Sequence, residues 1–131
     1  MSILGHGIDL VECTRIAKVL ENHGRRFLDR VLTPAEQQIV SRYRNPVPFI
    51  AGRWAAKEAI LKMIGTGWRG KITWTDMEIL PDELGQPHVT LSGETAHIAK
   101  QKGITRVLLS ITHTEHHAAA SAMGVASSKE R

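Results

Sequence analysis

The chain has 131 residues, 42% of them hydrophobic and 23% charged, which is the size and balance of a single soluble globular domain. No apolar run approaches the roughly 20 residues of a membrane-crossing helix, and Asp9 and Glu12 interrupt the apolar beginning too early for a secretory signal. One cysteine, Cys13, excludes an internal disulfide framework and suits a reducing, cytoplasmic setting, while the net charge of +4 points to an acidic partner.

Residues 2–11, SILGHGIDLV, alternate loosely and predict a first strand ending between Asp9 and Glu12, with Gly5 and Gly7 marking close backbone approach. Thr14 is a candidate cap for a short helix through Leu20 that Gly24 stops, and RRFLDRVL adds a further helical turn or two. TPAE is a strong start signal, with Thr33 as N-cap, Pro34 at the first helical position and Glu36 completing a capping box. That helix ends before Asn45-Pro46-Val47-Pro48, and a long helix over 49–64 follows, terminated by Gly65 and Gly67. KITWTDMEIL reads as a strand or two, PDELGQP as a turn and HVTLSG as a returning strand. GETAHIAKQKG is a modest helix closed by Gly103, and TRVLLSITHT and HHAAASAMGV are two strands joined tightly around Thr114 to His116. Residues 1–125 are expected to form one domain and 126–131 a frayed tail. The fold class is α+β, with helices in the first half packed on a small, mainly antiparallel sheet.

The charge excess is concentrated. Between residues 13 and 44 there are seven cations, among them Arg15, Arg25, Arg26 and Arg30, against three acids. Such a surface is either a solvated helix face or a dock for an acidic partner. With only Phe27 and Tyr43 as aromatics in the segment and no recognised binding motif, nucleic acid is disfavoured.

The long helix places Arg53 and Lys57 within its large apolar face, and Glu58 and Lys62 on another face among Ala51, Ala55 and Ala59. Embedded cations must snorkel, pair with an acid or meet an anionic ligand, because unpaired burial costs several kcal/mol. Glu58 and Lys62 alone read as an i, i+4 surface pair. Asp9, in GIDLVE, is a strand-end carboxylate among hydrophobes, either a loop cap or a magnesium ligand, since magnesium needs only one or two carboxylates. His113, His116 and His117 include an H-x-x-H spacing, but a strand-turn-strand points them apart and no cysteine stands near, which disfavours zinc. His113, at a strand end, is a surface residue or a phosphate-contacting or proton-handling one.

Taken together, GIDLVE, RVLTPAE, AGRWAAKEAILK, GTG, DELGQPHVTLSG and SITHTEHHAAA resemble the motif series of holo-acyl-carrier-protein synthases, the small bacterial 4′-phosphopantetheinyl transferases. The most diagnostic part is the early G-I-D paired with a later W/F-x-x-K-E-A-x-x-K. Two departures stand out: Trp54 occupies a position where the family usually has Phe, and WRGKITW does not follow the family pattern closely. The resemblance implies Asp9 and Glu58 as magnesium ligands. It assigns Arg53, Lys57, Lys62 and His113 to coenzyme A or the reacting centre, with Glu58, Lys62 and Asp9 as the catalytic set. Arg15, Arg25, Arg26 and Arg30 would dock an acidic acyl carrier protein, and a homotrimer with sites at subunit clefts is implied. The implied reaction moves 4′-phosphopantetheine from coenzyme A to a carrier serine. Two rivals remain at this point: a non-catalytic basic module gripping an acidic protein, and a transferase serving polyketide or peptide synthetase carrier domains.

Overall fold

In the computed structural model, residues 1–127 are described. Strand β1, Ser2–Glu12, leads directly into helix α1, Cys13–His23, followed by α2, Arg25–Val31, and α3, Pro34–Val40. Helix α4, Val47–Ile64, precedes a 3₁₀ turn at Trp74–Asp76, strands β2, Met77–Pro81, and β3, Pro87–Leu91, and helix α5, Gly93–Gln101. The hairpin of β4, Arg106–His113, and β5, His117–Ala126, completes the described fold. Both sheets are antiparallel: β1-β5-β4, and the separate pair β2-β3. The α+β expectation holds.

Helix α4 is the axis of the core. Ala51, Ala55, Ala56 and Ala59 are fully buried, as are Ile50 and Ile60. The sheet answers with small residues of its own: Ala118, Ala120 and Ala122 of β5 are buried, which brings the helix close to the strand backbones. β1 lies in register beside them, with Asp9 opposite Ala120 and Val11 opposite Ala118.

Local signals set most element ends. Thr33 Oγ1 accepts from Glu36 N at 3.3 Å while Glu36 Oε1 accepts from Thr33 N at 2.8 Å, so the capping box forms as TPAE predicts. Gly65 closes α4 at φ 86°, a left-handed value that favours glycine. Several boundaries differ from the sequence reading. Helix α1 starts at Cys13 rather than after a Thr14 cap, because Cys13 N donates to His116 O at 2.8 Å and the β4–β5 turn does the capping. Helix α4 starts at Val47, since Pro48 falls in its first turn, where a missing N–H costs nothing. The strand expected over 71–80 begins only at Met77, because Asp76 accepts from Thr73 N and Thr73 Oγ1 and curls the chain into the 3₁₀ turn. β5 runs through Ala126, and residues 128–131 of the expected tail lie outside the described residues.

Candidate active site

The site is built on the seam between β1 and α4. A Cβ at Gly5 would sit 2.4 Å from Met63 O, and one at Gly7 would sit 2.0 Å from Ala59 O. Glycine at both positions lets the strand run against the helix, antiparallel to it. Two strand residues advance about 6.6 Å and four helix residues about 6 Å. Asp9, next on the same face of β1, therefore lies about one helical turn earlier, near the level of Ala55 and about 4.5 Å of helix rise from Glu58. Lys62 ties the seam: its Nζ donates to Asp9 Oδ1 at 3.0 Å and to Ile8 O at 3.0 Å. Asp9 keeps only 15% of its side chain exposed, against 55% for Lys62. The pair is polar and sheltered, with an open side.

Glu58 stands one turn before Lys62 and lines a cleft of about 750 Å³. Arg26 and Arg30 of α2 line the same cleft, with Trp54 of α4, Trp68 and Trp74. Arg15 of α1 lies over the Trp54 ring at 5.6 Å. Three of the four arginines expected at a docking surface thus gather around the cleft that Glu58 enters. Arg25 instead points outward and pairs with Asp29 at 3.4 Å, with both side chains well exposed.

The remaining candidates sit elsewhere in the single chain. Lys57 is fully buried, and its Nζ donates to Val31 O at 2.6 Å and Glu36 Oε1 at 2.8 Å. It cannot reach a coenzyme A phosphate in this structure, and the expectation of a ligand contact is corrected to an internal ion pair. Burial pushes its ammonium below the ordinary lysine value against the opposing pull of Glu36. Arg53 lies nine residues before Lys62, half a turn around α4 and so on its opposite side. Its guanidinium stacks over Phe49 at 4.3 Å, and its buried Nε has no hydrogen-bond partner among the described residues. Burial lowers its pKa from the usual arginine value, while Glu36 and Tyr43 oppose the shift. His113 ends β4, opposite Ala118, so β5 separates it from β1. Two inter-strand spacings, about 10 Å, keep it from Asp9.

Asp9 on β1, bonded to the Lys62 ammonium, and Glu58 on α4 are carboxylates of the type that suits a hard divalent cation such as magnesium. Among the described residues no three His, Cys, Asp or Glu side chains cluster for a metal. A cation held here would draw its other ligands from water and a bound phosphate, as magnesium does. Trp68 is a participant that sequence reasoning missed. Its Nε1 donates to Glu58 Oε1 at 3.3 Å from a segment of the chain with no periodicity.

Residues 5–121 match the 4′-phosphopantetheinyl transferase superfamily. The chain belongs to that superfamily. Its relatives within it include the holo-[acyl-carrier-protein] synthase of Koribacter versatilis (strain Ellin345), 46% identical over 119 residues, or 91% of this chain and 95% of that protein. The crystal structure of holo-[acyl-carrier-protein] synthase from Neisseria meningitidis matches with a TM-score of 0.87 at 34% identity, covering 95% of this chain and 99% of that one. The Bacillus anthracis str. Ames synthase, solved in complex with CoA (3′,5′-ADP), matches with a TM-score of 0.80 at 33% identity, covering 95% and 98%. The superfamily fold thus spans nearly the whole chain, cleft and seam included.

Proposed function

We propose that this protein transfers 4′-phosphopantetheine from coenzyme A to a serine of an apo-acyl carrier protein, in a magnesium-dependent reaction of fatty acid biosynthesis in the cytoplasm. The observation that carries the reading is the Asp9–Lys62 contact at 3.0 Å, on the seam beside which Glu58 opens into a basic cleft. The carrier's serine oxygen attacks the phosphorus on the pantetheine side of the diphosphate. That phosphorus–oxygen bond to the adenosine half breaks, and adenosine 3′,5′-bisphosphate leaves. Such a transfer needs alignment and charge neutralisation more than an unusual side chain.

Asp9 and Glu58 would hold the magnesium ion, which supplies charge stabilisation on the diphosphate. Lys62 would stabilise the departing phosphate oxygen. Glu58 is the leading candidate to take the serine proton, since it faces the cleft through which a carrier would approach. Arg15, Arg26 and Arg30 around that cleft suit the acidic surface of a carrier protein.

Arg53 and His113 fit the same reading only if a second subunit supplies them, which favours a homotrimer with sites shared between neighbours. The outer face of the sheet supports self-association: Ile8 and Leu10 of β1 are 62% and 67% exposed. A metal-free binding module would gain nothing from Asp9 and Glu58, whose charges oppose an anion. The test is to incubate the protein with coenzyme A and an apo-acyl carrier protein, with and without magnesium, and weigh the carrier. A mass gain of one phosphopantetheine group that requires magnesium is expected. An unmodified carrier would overturn the proposal.

A further inference from the structure

Trp68 lies in the segment between α4 and the 3₁₀ turn, a stretch with two left-handed glycines, Gly67 at φ 64° and Gly70 at φ 54°. Nothing lies within 4 Å of where their Cβ atoms would be, so neither glycine packs the segment down. What holds it is aromatic. Trp68 contacts Trp74 at 4.2 Å between ring centroids, and Trp74 contacts Trp54 at 4.4 Å, back on α4. Trp54 is one helical turn before Glu58, and Trp68 Nε1 donates to Glu58 Oε1 at 3.3 Å. The chain of contacts therefore leaves α4 at Trp54 and returns to it at Glu58.

An indole N–H is a donor with no acceptor function, so in this contact Glu58 Oε1 is the accepting atom. It engages one oxygen of Glu58, and no other hydrogen bond to this carboxylate is made among the described residues. We infer that Trp68 is a positioning residue for the Glu58 carboxylate: it holds one oxygen through its indole N–H and presents the other to a divalent cation. Outer-shell donors of this kind fix the orientation of metal-binding carboxylates, and their loss weakens metal binding by roughly tenfold or more. The tilted ring contacts give Trp68 its own position, without which a 3.3 Å contact at an exposed residue would orient nothing. This inference rests on the reading of Glu58 as a metal-binding carboxylate.

Trp68→Phe keeps the ring for stacking and removes only the donor. Magnesium binding is measured by calorimetry with coenzyme A present, and turnover is measured against magnesium concentration, for the wild type, Trp68→Phe and Glu58→Ala. The expected result for Trp68→Phe is about a tenfold rise in both the magnesium dissociation constant and the half-saturating magnesium. The rise in half-saturating magnesium should exceed any fall in turnover at saturating magnesium, a split that general loosening of the segment would not produce. A second measurement needs no variant to fold: one of the three indole N–H resonances of the wild-type chain should shift as magnesium is titrated into the coenzyme A complex. Unchanged magnesium affinity in Trp68→Phe, with Glu58→Ala inactive, overturns the role of Trp68 and leaves the site reading standing. Three unmoved indole resonances do the same. An active Glu58→Ala protein overturns the site reading and this inference with it.

Discussion

Lys57 and Glu36 form a fully buried ion pair, Nζ to Oε1 at 2.8 Å, with both side chains at 0% exposure. Glu36 also accepts from Thr33 N and, through its other oxygen, from Ile79 N at 2.9 Å, so one carboxylate joins α3, α4 and β2. Removing either partner leaves an uncompensated charge in the core. Lys57→Met and Glu36→Gln should each lose about 3–5 kcal/mol of stability, measured by urea denaturation. The double variant should lose less than the sum of the two. A loss below about 1 kcal/mol for Lys57→Met would show that the pair is not a structural element.

Gly7→Ala should be severe. Its Cβ would meet backbone atoms, Ala59 O at 2.0 Å and Met63 N at 2.6 Å, which cannot swing aside as a side chain would. The strand must lift from the helix, at a cost of about 3 kcal/mol or more. Asp9 moves with it, so transfer should fall together with the melting temperature. A variant melting like the wild type would contradict the close strand–helix contact.

Reversing charge at Arg26 and Arg30 separates the cleft from the rest of the basic surface. Arg26→Glu/Arg30→Glu should weaken carrier-protein binding by at least about tenfold at low salt and flatten its salt dependence. Arg25→Glu, outside the cleft lining and paired with Asp29, should change binding much less. Equal effects from the two variants would place the docking surface away from the cleft.

Burial raises the Cys13 thiol above its usual value of 9.0. Between that value and the higher folded one, the folded chain keeps a proton that the unfolded chain has lost. The group's contribution to stability is thus fully present below pH 9.0 and is lost as pH rises through the folded value. Alkylation of the native thiol should be slow at neutral pH and accelerate sharply on unfolding. Equal rates in native and denatured protein would contradict the burial of Cys13 at the β1–α1 junction.

Where the physics is local, the sequence was legible. TPAE carries its own hydrogen-bonding partners within four residues, and Gly65 answers a backbone demand at one position. The two strands β4 and β5 and the tight link between them were legible from the sequence as well. Lys57 was not legible, because its partner Glu36 lies 21 residues away and had already been accounted for as a capping residue. A helical wheel shows that a cation enters the core but not what meets it there. Asp9 and Glu58 were picked out by motif, whereas the close approach of their strand and helix depends on Gly5 and Gly7 meeting α4. Trp68 carried no signal, since neither an isolated aromatic nor its glycine-rich surroundings reveal which carboxylate it bonds.

The central claim is that Asp9 and Glu58 act together at the β1–α4 seam. The most direct measurement is the mass of an apo-acyl carrier protein after incubation with coenzyme A, magnesium and each of Asp9→Ala, Glu58→Ala and the wild type, with folding of each variant checked by thermal melting. The wild type should add one phosphopantetheine group, and both folded variants should leave the carrier unmodified. A folded variant of either kind that modifies the carrier at the wild-type rate would contradict the account.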